Sequence, residues 1–93
     1  MILQFDDAFA DRLRGQLFAL LEERHEFDPV CPTEAARRVA AELKMEWREL
    51  MRPMRHVATG LAESGKIEVL QHGQPVSLRE ARGPVGLRLK RLR

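Results

Sequence analysis

The 93-residue chain has one cysteine, no tyrosine and only five aromatic side chains, four Phe and one Trp. A single cysteine excludes an internal disulfide framework and is typical of a protein of the reducing cytoplasm. With so few aromatic rings, a surface that stacks the bases of single-stranded nucleic acid is not expected. The longest purely apolar run, Leu17 to Leu21, is far shorter than the ~20 residues of a transmembrane helix. The first residues also lack the basic and apolar regions of a signal peptide. We therefore expect a cytoplasmic protein without a membrane segment.

Motifs for catalysis and metal binding are also missing. Cys31 is not joined by a local signature to His25, His56 or His72, and the sequence has no Cys-x-x-Cys or His-x-x-x-His pair. The six glycines are scattered, so the sequence contains no phosphate-binding loop. We expect no catalytic residue, no metal site and no cofactor, and we do not expect an enzyme.

Charge, by contrast, is abundant and unevenly placed. Residues 1–46 hold six Lys/Arg and ten Asp/Glu, a net charge of −4, whereas residues 47–93 hold ten Lys/Arg and four Asp/Glu, a net charge of +6. Arginine outnumbers lysine by thirteen to three. Because arginine contacts phosphate and guanine in a bidentate manner, the segregated charge suggests a positive face for nucleic acid. A general bias toward arginine in the source genome would give the same composition.

Three stretches of helical periodicity occupy the first two-thirds of the chain. Apolar residues recur at spacings of three and four in the segment 7–26, and acidic residues lie at its start. A second helix is predicted over 32–43, with Cys31 as its N-cap and Pro32 at its first position. The third, over 46–64, carries one continuous apolar face that begins with Trp47, which we expect to be a core anchor. Pro53 predicts either a kink or a break into two helices at 46–51 and 53–64.

The last third alternates polar and apolar residues. Strands are predicted over 66–71 and 85–89, separated by a turn at residues 72–75 and a single helical turn at residues 77–80. A short third strand around Val30 could join them, because two strands alone are not stable. Residues 90–93 form a basic tail. The chain is short enough to be a single domain spanning 1–93.

Three helices followed by a β-hairpin wing predict an α+β winged helix-turn-helix fold. The chain also resembles a family of small bacterial proteins of unknown function that looks like a winged helix, over roughly residues 15–90. The resemblance is carried by Cys31-Pro-Thr-Glu-Ala-Ala-Arg37, Trp47-Arg-Glu-Leu-Met51, Val57-Ala58 to Ile67, Gln71-His-Gly73 and Gly83-Pro-Val-Gly-Leu-Arg-Leu89. It implies the fold and assigns no chemistry to any residue.

A winged helix usually lays its third helix in the DNA major groove, and its wing touches the backbone. Double-stranded DNA is therefore the predicted partner. The predicted contacts are Arg48, Arg52, Arg55, His56 and Thr59 on the third helix, Arg79 and Arg82 in the wing, and Lys90 and Arg91 in the tail. The alternative is a winged helix that binds another protein and no nucleic acid. Without a spare dimerisation helix, the chain is expected to be a monomer or a weak dimer.

Overall fold

A computed structural model describes residues 6–24 and 28–90 of the chain. Within these residues, three helices precede three short strands. The elements are α1 (Asp7–Glu23), α2 (Pro32–Leu43), α3 (Trp47–Glu63), β1 (Ile67–Gln71), β2 (Gln74–Pro75) and β3 (Gly86–Leu89). This order confirms the predicted α+β, winged-helix-like fold.

The first helix is shorter than its apolar periodicity predicts. Asp6 caps its start, where the side-chain Oδ1 accepts a hydrogen bond from the Phe9 amide at 2.8 Å. The helix ends at Glu23 rather than near residue 26, because the backbone of Arg24 is already extended. The Arg24 guanidinium pairs with Asp28, at 3.4 Å, and with Glu34 at the start of α2. These ion pairs connect the end of α1 to the approach of α2.

The second helix begins as predicted. The Sγ of Cys31 accepts a hydrogen bond from the Glu34 amide at 3.3 Å, and Pro32 occupies the first helical turn. Cys31 therefore acts as the N-cap, a position that serine or threonine fills more often.

A three-residue turn, Lys44 to Glu46, joins α2 to α3. Lys44 adopts a left-handed conformation with φ of 56°, and the Met45 amide donates to the Ala40 carbonyl at 2.9 Å. The third helix then runs from Trp47 to Glu63 as one element with Pro53 inside it. Pro53 removes a single backbone hydrogen bond, so a well-packed helix can continue past it. The break into two helices, which the sequence left open, does not occur.

The sheet is antiparallel and has the strand order β2–β1–β3. The pairing of β1 with β3 runs from Ile67 opposite Leu89 to Leu70 opposite Gly86. β2 was not predicted. It forms a hairpin with β1 across His72 and Gly73, which both have positive φ as a tight two-residue turn requires.

Val30 reaches β3 by a single bridge instead of a strand. Its amide donates to the Leu87 carbonyl at 2.9 Å, and the Leu87 amide donates to the Val30 carbonyl at 2.7 Å. Pro29 has no amide hydrogen to extend the pairing, and Cys31 already caps α2. The predicted third strand around Val30 is thus reduced to one residue pair.

The segment after β2 forms the single helical turn predicted over 77–80, which does not continue into a helix. The amides of Glu80 and Ala81 both donate to the Ser77 carbonyl, at 3.1 and 2.8 Å. Leu78 is buried, so this turn packs against the body of the protein.

The core lies between the three helices and one face of the sheet. Its largest fully buried side chains are Leu13, Leu17, Val30, Leu50, Met54 and Leu87. The predicted core residues Leu20, Leu21, Val57 and Leu61 belong to the same buried cluster. Trp47 does not: it is only partly buried at the edge of the core, which corrects the expectation of a core anchor. Trp47 is the first residue of α3, and this end of the helix lies at the edge of the apolar cluster.

No helix among residues 6–24 and 28–90 combines the length and the apolar character needed to cross a bilayer.

Candidate nucleic-acid interface

The outer face of α3 carries a row of arginines. Leu50, Met54 and Val57 are buried on the inner face of this helix. Residues 48, 52, 55 and 59 recur at spacings of four, three and four, so they follow one line along the opposite side. With a rise of 1.5 Å per residue, this line is ~16 Å long. We call Arg48, Arg52 and Arg55 the α3 arginine row.

The three arginines differ in what they contact. Arg48 is exposed, and its Nη1 lies 3.1 Å from the Glu46 carboxylate. Arg52 is exposed and Arg55 is half-buried, and neither forms an ion pair with another residue in the described ranges. Two adjacent guanidinium groups on α3 are therefore not neutralised by a carboxylate of the described chain.

A fourth arginine, on α2, lies close to the start of the row. The Cζ of Arg37 is 4.5 Å from the centre of the Trp47 ring, and the Cζ of Arg48 is 4.6 Å from the same centre. Both distances fall within the range of a cation–π contact. The sequence alone does not predict Arg37 as part of the site, because a buried Trp47 is expected and only the packing of α2 on α3 brings the two residues together.

Thr59 is the least available of the predicted contacts. Its hydroxyl donates to the Arg55 carbonyl at 2.7 Å, a bond within the helix. The side chain is half-buried and lines a shallow depression between α3 and the segment Val76 to Leu78. The end of α3, from Thr59 to Glu63, thus lies beside the segment after β2.

Arg79 lies at the far end of α3, beside that depression. Its Nε is 2.7 Å from a carboxylate oxygen of Glu63. This hydrogen bond, reinforced by the attraction between the two charges, lowers the pKa of Glu63 and raises the pKa of Arg79. The predicted wing contact is therefore already paired with an acid of α3.

The other predicted wing and tail cations are far apart. Gln71, at the end of β1, donates from Nε2 to the carbonyl of Arg82. The amide of Lys90 donates to the carbonyl of Lys66, just before the start of β1, at 3.1 Å. The two ends of this strand are separated by ~16 Å at a rise of 3.3 Å per residue, so Arg82 and Lys90 do not form one cluster. Arg91 lies outside the described residues.

A family model described as "Protein of unknown function (DUF3253)" matches residues 10–90. The chain belongs to this family. The match confirms the family resemblance noted over residues 15–90, and the description states no activity or partner. A comparison with curated proteins gave no match.

In this DUF3253 chain, Cys31 has a structural role that the geometry explains. Its sulfur is half-buried and accepts the capping hydrogen bond of α2. Within residues 6–24 and 28–90, no three His, Cys, Asp or Glu side chains are grouped as metal ligands would be. The chemistry that the arginine row can supply is recognition of anions and of hydrogen-bond acceptors.

Proposed function

We propose that this DUF3253 chain binds double-stranded DNA, with α3 lying in the major groove. The observation that carries the proposal is the α3 arginine row on a helix that follows α2 across a three-residue turn. Two helices joined in this way form the helix-turn-helix unit, whose second helix reads the groove. The major groove, ~12 Å wide, admits one α-helix.

In this proposal some arginines of the α3 arginine row contact bases and one contacts a phosphate. Arg52 and Arg55 have no carboxylate partner among the described residues, so their guanidinium groups can approach acceptors such as O6 and N7 of guanine. Arg48, which forms an ion pair with Glu46, is better suited to contact a phosphate at the edge of the groove. His56 lies on the same exposed stretch and adds a polar group beside Arg52.

The wing and tail supply secondary contacts in this proposal. Arg79, Arg82, Lys90 and Arg91 contact the DNA backbone, which fixes the orientation of the protein and not its sequence preference. Arg79 contributes least of these, because Glu63 holds its guanidinium. The hydroxyl of Thr59 donates its proton to the Arg55 carbonyl within the helix, so this proton is not available for a hydrogen bond to DNA.

The proposal concerns binding, without a catalytic step or a cofactor. It includes a bacterial source and a cytoplasmic location, where chromosomal DNA is found. The alternative is a protein-interaction module, favoured by the partial exposure of Met45, Trp47 and Met51 around the start of α3. Large apolar and aromatic side chains of this kind are typical of protein interfaces.

Fluorescence anisotropy with labelled duplexes of random and selected sequence tests the proposal. At low salt the protein should bind, and the affinity should fall steeply as salt rises, because phosphate contacts release counterions. The double variant R52A/R55A should bind a selected duplex at least ~30-fold more weakly, since each of the two bidentate base contacts contributes ~1–3 kcal/mol. Both side chains point away from the core, so folding should be unchanged.

The matched control is R12A/R14A, which removes two arginines from α1 and changes the net charge equally. Neither Arg12 nor Arg14 is on the proposed interface, so the affinity should fall by less than about 3-fold. Absence of binding at low salt and roughly tens of micromolar protein would contradict DNA binding and favour the protein-interaction alternative. Binding that ignores R52A/R55A would move the site to the basic tail at Lys90, Arg91 and Arg93.

A further inference from the structure

The residue pair Arg37 and Trp47 connects the two helices of the helix-turn-helix unit at the exposed end of α3. Arg37 is exposed on α2, and its guanidinium carbon lies 4.5 Å from the centre of the Trp47 ring on α3. The ring is itself only partly buried. A guanidinium held over an aromatic face loses freedom that an unsupported arginine keeps.

The charges around the ring are unequal. Arg48 also lies over Trp47, but the negative charge of Glu46, in an ion pair at 3.1 Å, partly offsets the positive charge of Arg48. Arg37 forms no ion pair with a residue of the described ranges. Its neighbour Arg38, by contrast, turns toward α1 and pairs with Glu23 at 3.3 Å. Of these three arginines, Arg37 is the one whose positive charge is not offset by an acid within the described chain.

We propose that Arg37 is a contact to the DNA phosphate backbone, and that Trp47 is the residue that positions it. This inference rests on the proposed function and adds a residue and a role to it. In a helix-turn-helix unit the first helix crosses the DNA backbone while the second enters the groove. Arg37 lies on that first helix with its guanidinium over the first residue of α3, so a phosphate flanking the groove is the acceptor it can reach.

The role assigned to Arg37 is independent of sequence. A phosphate contact weakens binding equally on all duplexes when it is lost, whereas a base contact changes the preference for one site. R37A should therefore weaken binding ~10-fold on random and selected duplexes alike and reduce the salt slope by about one. R38A is the matched control: it removes the same charge from the next residue of the same helix, and it should change affinity by less than about 2-fold.

Trp47 is tested by its coupling to Arg37. W47L removes the aromatic face but keeps an apolar side chain, and W47F keeps a weaker face. Because Arg48 also lies over the ring, the comparison is made in an R48A background. There we expect W47L to weaken binding about as much as R37A, and W47F to restore most of the affinity. Combining R37A with W47L in that background should weaken binding no further than either change alone, whereas R38A with W47L should show the sum of the single effects. Thermal melts of each variant exclude unfolding as the cause.

Trp47 also reports the contact directly, because it is the only tryptophan and the chain has no tyrosine. Adding duplex DNA to the wild type should change the Trp47 emission as the guanidinium groups engage phosphate, and R37A should reduce that change. If the wild type fails to bind any duplex, the proposed function itself is overturned. If the wild type binds and R37A behaves like R38A, DNA binding stands and the assignment of Arg37 is wrong. Additive loss from R37A and W47L in the R48A background would likewise overturn the positioning role of Trp47.

Discussion

Arg79 donates from Nε to a Glu63 carboxylate oxygen at 2.7 Å, and this ion pair joins the turn after β2 to the last turn of α3. Leu78, the residue before Arg79, is buried in the core cluster. The turn is therefore held by one buried apolar side chain and by one charged contact with α3. The charged contact responds to pH.

The first prediction concerns that response. The hydrogen bond from Arg79 lowers the pKa of Glu63 in the folded protein. The stabilisation by this pair is therefore present above the pKa of Glu63 in the unfolded chain and is lost as the pH falls through the lower folded value. The melting temperatures of the wild type and of E63Q should differ at pH 7 and converge only when the pH falls below the lowered pKa of Glu63, which lies under the ordinary value of about 4.3. E80Q, at an exposed acid without an ion pair among the described residues, should give a difference that is small at every pH.

The second prediction concerns Glu46. Its carboxylate lies 3.1 Å from the Nη1 of Arg48 and would face the DNA with it. E46Q should release Arg48 and remove a repulsive charge, so the affinity for duplex DNA should rise by about 2- to 5-fold. E22Q makes the same change of charge on α1 and should have a smaller effect. An equal gain from both variants would show that only the net charge matters.

A third prediction compares two glycines. A Cβ atom on Gly86 would lie 2.6 Å from the Cβ of Pro29, so the neighbouring backbone must move. G86A should destabilise the protein by about 1–3 kcal/mol. Gly60, in α3, has open space around the same position, and G60A should stabilise the protein by about 0.5–1 kcal/mol. Chemical denaturation measures both, and a stable G86A would contradict the close approach of the two segments.

Leu61 tests the packing of α3. Its side chain is buried in the cluster that also contains Leu17 and Leu21. L61A should reduce the free energy of unfolding by about 2–5 kcal/mol, through lost burial and the cavity that remains. A62G on the half-buried neighbour separates helix propensity from burial, since it should cost only about 1 kcal/mol. Urea denaturation of the two variants gives the comparison.

The fifth prediction concerns the oligomeric state. The chain has no helix beyond those that form its own core, within the part that the structure describes. We expect a monomer or a weak dimer, with α1 as the contact between copies. Light scattering at micromolar concentration measures the mass, and a stable tetramer would contradict the prediction.

Much of the fold could be predicted because it depends on local chemistry. The apolar periodicity of α3 places Leu50, Met54 and Val57 on one face, and the structure buries all three. The N-cap of α2 follows from Cys31-Pro32 and the spacing to Glu34, even though sulfur is an uncommon acceptor there. Such signals extend over one or two turns of chain, and tertiary packing did not override them.

Other features could not be predicted because they join residues far apart in sequence. β2 consists of two exposed residues, Gln74 and Pro75, which are too few to show an alternating pattern. Its pairing follows from the turn at His72 and Gly73. The contact between Arg37 and Trp47 depends on how closely α2 approaches α3. The ion pair of Arg79 with Glu63 depends on where the turn after β2 lies on α3. For these, the sequence supplies the groups and only the fold brings them together.

The bridge between Val30 and Leu87 joins an early part of the chain to a late one, so the core around Val30 can be completed only after β3 has been synthesised. Val30 is fully buried, and its two hydrogen bonds to Leu87 join the segment before α2 to the last strand. During synthesis, which proceeds at roughly 5–20 residues per second, the three helices emerge well before this partner exists. Val30 and the apolar side chains near it therefore stay partly exposed to solvent until Leu87 has left the ribosome. Contacts between residues so distant in sequence form late and slow the folding reaction. A truncated chain that ends before β3 should be bound by chaperones and cleaved by proteases, whereas the chain that includes β3 should resist proteolysis.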